Sequence, residues 1–264
     1  MHFGRKRIGW VLALGTLFAT LLFSIIWYGP QFVLYFKIRR GLPYVDSYAH
    51  LSTTPQPLTE SGTSTTKGTV LSYFGCSFEV PWQEEVLERN DGRWAEVQFK
   101  TGQTVRVFNP AEFYVHDFIS SYAAGGSKIW EMASKAGFPR SKYEQFKAVL
   151  SATPAQLSPF QSRQQFARTM VLINQKGVYF EHNAFKPEMF SFEKPSLRGF
   201  EISGISQNME EATLAIFDAT DRMFTVRIRG NRGLNTNLNQ LEINRVIDSF
   251  SVRNELPSGR SQER

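Results

Sequence analysis

From Ile8 to Tyr28 the chain reads IGWVLALGTLFATLLFSIIWY, 21 residues without a charge. As a helix rising 1.5 Å per residue it would extend about 31 Å, the thickness of a hydrocarbon layer. Few soluble helices run so far without a polar face, so the expectation is a single transmembrane helix over 8–28. Trp27 and Tyr28 at its end suit the headgroup level, and Gly29-Pro30 interrupts the helix behind them. The run is longer than a signal-peptide core and no A-x-A site follows it, so the expectation is an uncleaved signal anchor of a single-pass membrane protein. Arg5, Lys6 and Arg7 abut the run, while Lys37, Arg39 and Arg40 follow the further apolar stretch QFVLYF. This asymmetry favours an inside N-terminus and a globular domain on the non-cytoplasmic side.

Those six basic residues are the whole positive excess. The chain carries 30 Lys and Arg against 24 Asp and Glu, and residues 1–40 contain no acid, so the remainder holds 24 of each. A neutral body argues against nucleic acid as a partner, because phosphate contacts need a basic surplus of their own. With Cys76 alone, no intramolecular disulfide can form, and its setting, LSYFGCSFEV, reads as a strand with a small apolar side chain in the core. Ser52 to Gly68, STTPQPLTESGTSTTKG, has the composition of a flexible linker. The expected organisation is a basic flank at 1–7, the anchor at 8–28, a juxtamembrane segment at 29–51, the linker at 52–68, a globular domain at 69–253 and a disordered tail at 254–264.

Within the domain, Val97, Phe99, Val105 and Val107 alternate with polar residues around Thr101-Gly102, which predicts a hairpin over 94–108. A second hairpin is predicted over 213–229 around Asp218–Asp221, with Phe224, Val226 and Ile228 on one face and Thr225, Arg227 and Arg229 on the other. Further strands are expected at 71–80, 178–183 and 197–205, and helices at 111–136, 141–150, 159–174 and 237–249. The fold class expected from this order is α+β, an antiparallel sheet packed with helices behind an N-terminal transmembrane helix. The phrases GCSFEVPW, TVRIRG and NQLEINRVIDSFSV, in this order over about residues 70–252, resemble the PsbP-like fold family. That resemblance implies an α/β/α sandwich without shared catalytic machinery, used for binding and assembly.

Chemistry-bearing residues are sparse. Glu112 and His116 stand at i, i+4 with Asp117 adjacent, a spacing that can offer two metal ligands on one helix face, yet no second clustered pair accompanies them. Glu181-His182 would point to opposite faces of a strand, Gly125-Gly126-Ser127 lacks the Walker spacing, and His50 lies beside the linker. Glu84, Glu85 and Glu88 next to a polar turn read as a solvated face. No catalytic, cofactor-binding or metal residue is therefore assigned, and no cofactor is expected. The expected function is a membrane-anchored, non-catalytic binding or assembly module that presents its domain to a protein partner. The alternatives are a membrane-tethered carrier or sensor of a small apolar ligand, and a metal-dependent hydrolase using Glu112 and His116.

Overall fold

The computed structural model describes residues 16–26, 28–29, 31–33, 35–36, 49–59, 68–111, 128–179, 188–205, 209–231 and 238–253. The chain opens with helix α1 over 16–26, with helical backbone again at 28–29, 31–33 and 35–36, and continues with the short α2, Ala49–Ser52. Strands β1 (Gln56–Pro57), β2 (Thr69–Tyr73), β3 (Cys76–Val80), β4 (Glu85–Asn90), β5 (Trp94–Phe99) and β6 (Thr104–Phe108) follow. Helices α3 (Lys128–Lys135), α4 (Lys142–Ser151) and α5 (Arg163–Tyr179) lead to β7 (Glu188–Glu193), β8 (Leu197–Ile205), β9 (Met209–Asp218) and β10 (Met223–Asn231). Helix α6 (Gln240–Ser249) and β11 (Ser251–Val252) close the described chain.

Eight strands form the main sheet in the order β1-β7-β8-β9-β10-β6-β5-β4, and β11-β3-β2 form a second, smaller one. Every pairing is antiparallel except β1 with β7. Alternation decides the layers. Leu214, Ile216, Phe224, Val226, Ile228, Val105 and Val97 face α6 and the small sheet, where Phe78 stacks on Phe250 at 5.8 Å. On the opposite side Phe200 and Phe217 meet Tyr143 and Phe146 of α4. Gly199 is required where β8 passes β9, because a Cβ there would lie 2.4 Å from the Ala215 carbonyl oxygen.

The β9–β10 turn also fixes the helical layer. Asp221 adopts φ +64° and turns its carboxylate to the start of α4, accepting from the Ser141 hydroxyl at 3.0 Å, the Tyr143 N–H at 3.1 Å and the Lys142 N–H. The two N–H groups belong to the first turn of α4 and have no partner within the helix. Asp221→Ala is expected to lower stability by about 1–2 kcal/mol in urea unfolding, with a smaller loss for Asp221→Asn, which keeps one acceptor and tolerates the left-handed conformation.

Several expectations are corrected. The domain is mixed α/β with two sheets and a parallel edge pair, not α+β with one antiparallel sheet. The reason is that 71–80 folds as a separate hairpin on α6, while 56–57 comes back to pair with β7. No helix among the described residues is long and apolar enough to cross a membrane, so the transmembrane anchor, the single-pass membrane localisation and the signal-anchor assignment are not supported. The described helical backbone at 16–26 lies within the expected span, of which residues 8–15 and 27 lie outside the described ones. Part of the expected linker is tied to the domain, since Lys176 of α5 holds the Leu51 and Thr53 carbonyls and the Leu58 N–H donates to the Ser191 carbonyl. The strand expected at 178–183 begins as the end of α5, and 180–183 lie outside the described residues.

Candidate functional site

The apolar side chains that the core does not use are concentrated at one end of the chain. Among the described residues, nine of the fifteen exposed large apolar ones lie between Leu17 and Phe36, including Leu17, Phe18, Leu21, Phe23, Ile25 and Ile26. On a 100° wheel those of α1 occupy more than half the circumference, wider than the stripe with which a helix covers its own core.

The segment is seated against the start of α5 by polar contacts. The Gln31 side chain is 6% exposed; its amide, turned to satisfy both groups, donates to the Pro159 carbonyl at 3.1 Å and accepts from the Arg163 N–H at 3.3 Å. In return the Arg163 guanidinium donates to the Ile26 carbonyl at 3.5 Å, near the end of α1. The Arg163 N–H opens α5, and the residue four on from Ile26 is Pro30, which has no N–H to give its carbonyl. Phe32 then meets Phe160 edge-on at 5.3 Å, with Tyr28 at 6.3 Å from the same ring. Phe160 is nevertheless 71% exposed, so it extends the apolar surface of α1 onto the domain. Beside it Gln31, Ile129, Met132, Arg163, Phe166, Ala167 and Met170 line an apolar groove of about 170 Å³.

A second polar arrangement is buried under α6. Glu201 of β8 is wholly buried and accepts from the Gln240 amide at 2.7 Å through Oε2, while Oε1 has no hydrogen-bond partner. Burial, reinforced by the charge of Glu188, pushes its carboxyl up to about 7 against the stabilising Gln240 contact.

Among the sequence candidates, Glu112, His116, Asp117, Gly125, Gly126, Ser127, Glu181 and His182 lie outside the described residues, as does the side chain of His50. Among the described residues no group of His, Cys, Asp and Glu is arranged to hold a metal ion. Glu85 and Glu88 lie on β4, an edge strand exposed along its length; Glu84 just before it pairs with Lys100, and Glu88 accepts from the Tyr73 hydroxyl at 2.7 Å. Cys76 is 1% exposed, and desolvation pushes its thiol up to about 12, which leaves it a core side chain. Phe160, Gln31, Lys176 and Glu201 carry no motif in sequence. The only signals available were an uncompensated Phe in a polar loop and single charges within apolar runs. A scan against protein-family models and a search of curated proteins find no match for this chain.

Proposed function

We propose that this chain is a non-catalytic binding or assembly module that docks a protein partner through α1 and the adjoining rim of α5. The observation that carries the reading is the concentration of exposed apolar side chains at 17–36, continued on the domain by Phe160. Isolated exposed apolar residues need no explanation, but a contiguous patch of this kind marks a surface that is covered in the working state. The partner is expected to present an apolar helical face, because α1 carries no charge and displays its exposed apolar side chains on a helix, the form used in groove-type recognition. Binding and assembly is also what the resemblance to the PsbP-like family implies.

Leu21→Glu with Ile25→Glu tests this directly, since both side chains are exposed and contribute nothing to the described core. The doubly substituted chain is expected to keep its melting temperature within about 1 °C. It is expected to lose a partner that copurifies with the native chain at fixed stoichiometry. Retention of that partner by the variant overturns the reading. A native chain that only pairs with itself does so as well, as does one that takes up lipid vesicles with no protein partner.

A second reading, carriage of a small apolar ligand, draws on the groove beside Phe166 and Met170. Saturable uptake of an environment-sensitive apolar dye, lost in Met170→Glu, would favour it over protein docking.

A further inference from the structure

The sheet face on which Phe200 and Phe217 meet α4 continues across β10, β6, β5 and β4, and there it turns from apolar to charged. Arg89, Glu96, Arg106 and Arg227 are successive cross-strand neighbours in one row, and Arg229 stands beside Glu211 in the row beyond. Alternation puts these side chains on the face opposite Val97, Val105, Val226 and Ile228 of the core. Four guanidinium groups thus share two carboxylates. Glu96 Oε2 lies 2.7 Å from Arg106 Nε and 2.5 Å from its Nη2, and Glu211 Oε2 accepts from Arg229 Nε at 2.6 Å. The other Glu211 oxygen stands 3.1 Å from Arg227 Nε but out of line, so that this buried nitrogen has no hydrogen-bond partner.

A second orphan lies beside it. Thr225, two residues back along β10 on the same face, is 2% exposed, and its hydroxyl has no hydrogen-bond partner. Its row across the strands continues through Phe108 to Trp94. The Arg227 guanidinium lies over the Phe108 ring at 5.5 Å and that of Arg106 over Trp94 at 4.5 Å, so both lean across the row that holds Thr225. Arg106 and Arg227 are also direct cross-strand neighbours, a position in which like charges repel. Each keeps 27% of its side chain exposed, so the pair is reachable from solvent. Two adjacent unmet donors and two opposed cations are costly to hold together, and an arriving anion relieves both costs.

We propose that this face binds the phosphate monoester of a small organic molecule, held by the Arg227 guanidinium and the Thr225 hydroxyl beside Arg106. The four guanidinium groups exceed the two carboxylates by two charges, which matches a phosphate monoester and overshoots a carboxylate. The donor fork of Arg227 suits two phosphate oxygens, and the threonine hydroxyl can donate to a third. Phe108 and Trp94 supply the apolar flank for the organic part of the ester. The surplus is local, so it is compatible with a domain whose charges otherwise balance.

The test is titration calorimetry of the full chain with phenyl phosphate, inorganic phosphate and benzoate, in a phosphate-free buffer at pH 8. Phenyl phosphate is expected to bind at least about tenfold more tightly than either of the others, and more weakly as salt is raised. Arg227→Gln is expected to weaken it by about thirtyfold or more. Thr225→Val, which keeps the shape, is expected to weaken it about fivefold without lowering the melting temperature, because the lost hydroxyl has no partner in the free protein. No saturable binding of phenyl phosphate at millimolar concentration overturns the proposal. So does binding that is unchanged in Arg227→Gln, or that is matched by benzoate or by inorganic phosphate. None of these outcomes depends on α1 or Phe160, so this site and the proposed docking surface stand or fall separately.

Discussion

Replacing Lys176 with methionine is expected to release residues 49–58 from the domain while the two sheets stay folded. Lys176 is wholly buried in α5, and its ammonium donates to the carbonyls of Leu51 at 3.3 Å, Thr53 at 2.5 Å and Ala152 at 2.9 Å. All three N–H bonds of the ammonium are thus spent on backbone carbonyls from two segments far apart in sequence. Hydrogen bonds from a charged donor contribute about 1.5–3 kcal/mol each, and methionine fills the space without replacing any of them. Desolvation, which pulls the lysine pKa down to about 8, shows that the charge is held at a cost, and removing it returns part of that sum. The expected balance is a loss of about 2–3 kcal/mol in global stability. The local effect is larger, because the parallel pairing of β1 with β7 spans only Gln56 and Pro57 and has no other comparable anchor among the described contacts. Hydrogen exchange at 51–58 is expected to accelerate at least about tenfold, with β8–β10 unchanged. Uniform protection in the variant would show that the ammonium does not hold the strap.

Glu201→Gln is expected to stabilise the protein at pH 8 and to leave stability unchanged at pH 4.5. Burial raises the native carboxyl to about 7 from the ordinary 4.5, so between these values the native state binds more protons than the unfolded chain. Stability must then fall as pH rises from 4.5 to 7 and level off above it. A shift of this size corresponds to about 3 kcal/mol. Glutamine removes that contribution, since its carbonyl can still accept from the Gln240 amide and its own amide replaces the orphaned oxygen. Urea midpoints at pH 4.5, 6 and 8 for both proteins check this. Parallel pH profiles would mean that Glu201 does not titrate in this window.

How much of the structure could be read from sequence follows from where each constraint lies. The β5–β6 and β9–β10 hairpins were legible because alternation is local: Val97 and Val105, or Phe224 and Val226, report their burial through their own neighbours. Thr101-Gly102 likewise marks its turn, with Gly102 at φ +95°. The helix expected at 237–249, α6 in the structure, was visible for the same reason. The second sheet was not, because β3 reads as one more strand until β11, more than 170 residues later, pairs with it. The strap over α5 was read as linker because its order comes from Lys176 and not from its own composition. Hydropathy alone suggested a membrane span at 8–28, whereas no helix among the described residues is long and apolar enough for one, and the Arg163 guanidinium of α5 donates to the Ile26 carbonyl. Glu201 and Gln31 were illegible for a related reason. A polar residue buried against distant partners looks, in one dimension, like any surface residue.

The central claim, that the apolar rim formed by α1 and Phe160 is a protein-docking surface, is tested most directly by photo-crosslinking in cells at native expression. A photoreactive phenylalanine analogue is placed in the full chain at Phe18 or at Phe160, with Val70, exposed on the small sheet, as the control position. The account predicts that Phe18 and Phe160 both crosslink to the same protein, at a constant ratio to the chain, and that Val70 does not. Equal labelling from Val70, or no protein adduct from either rim position, would contradict it.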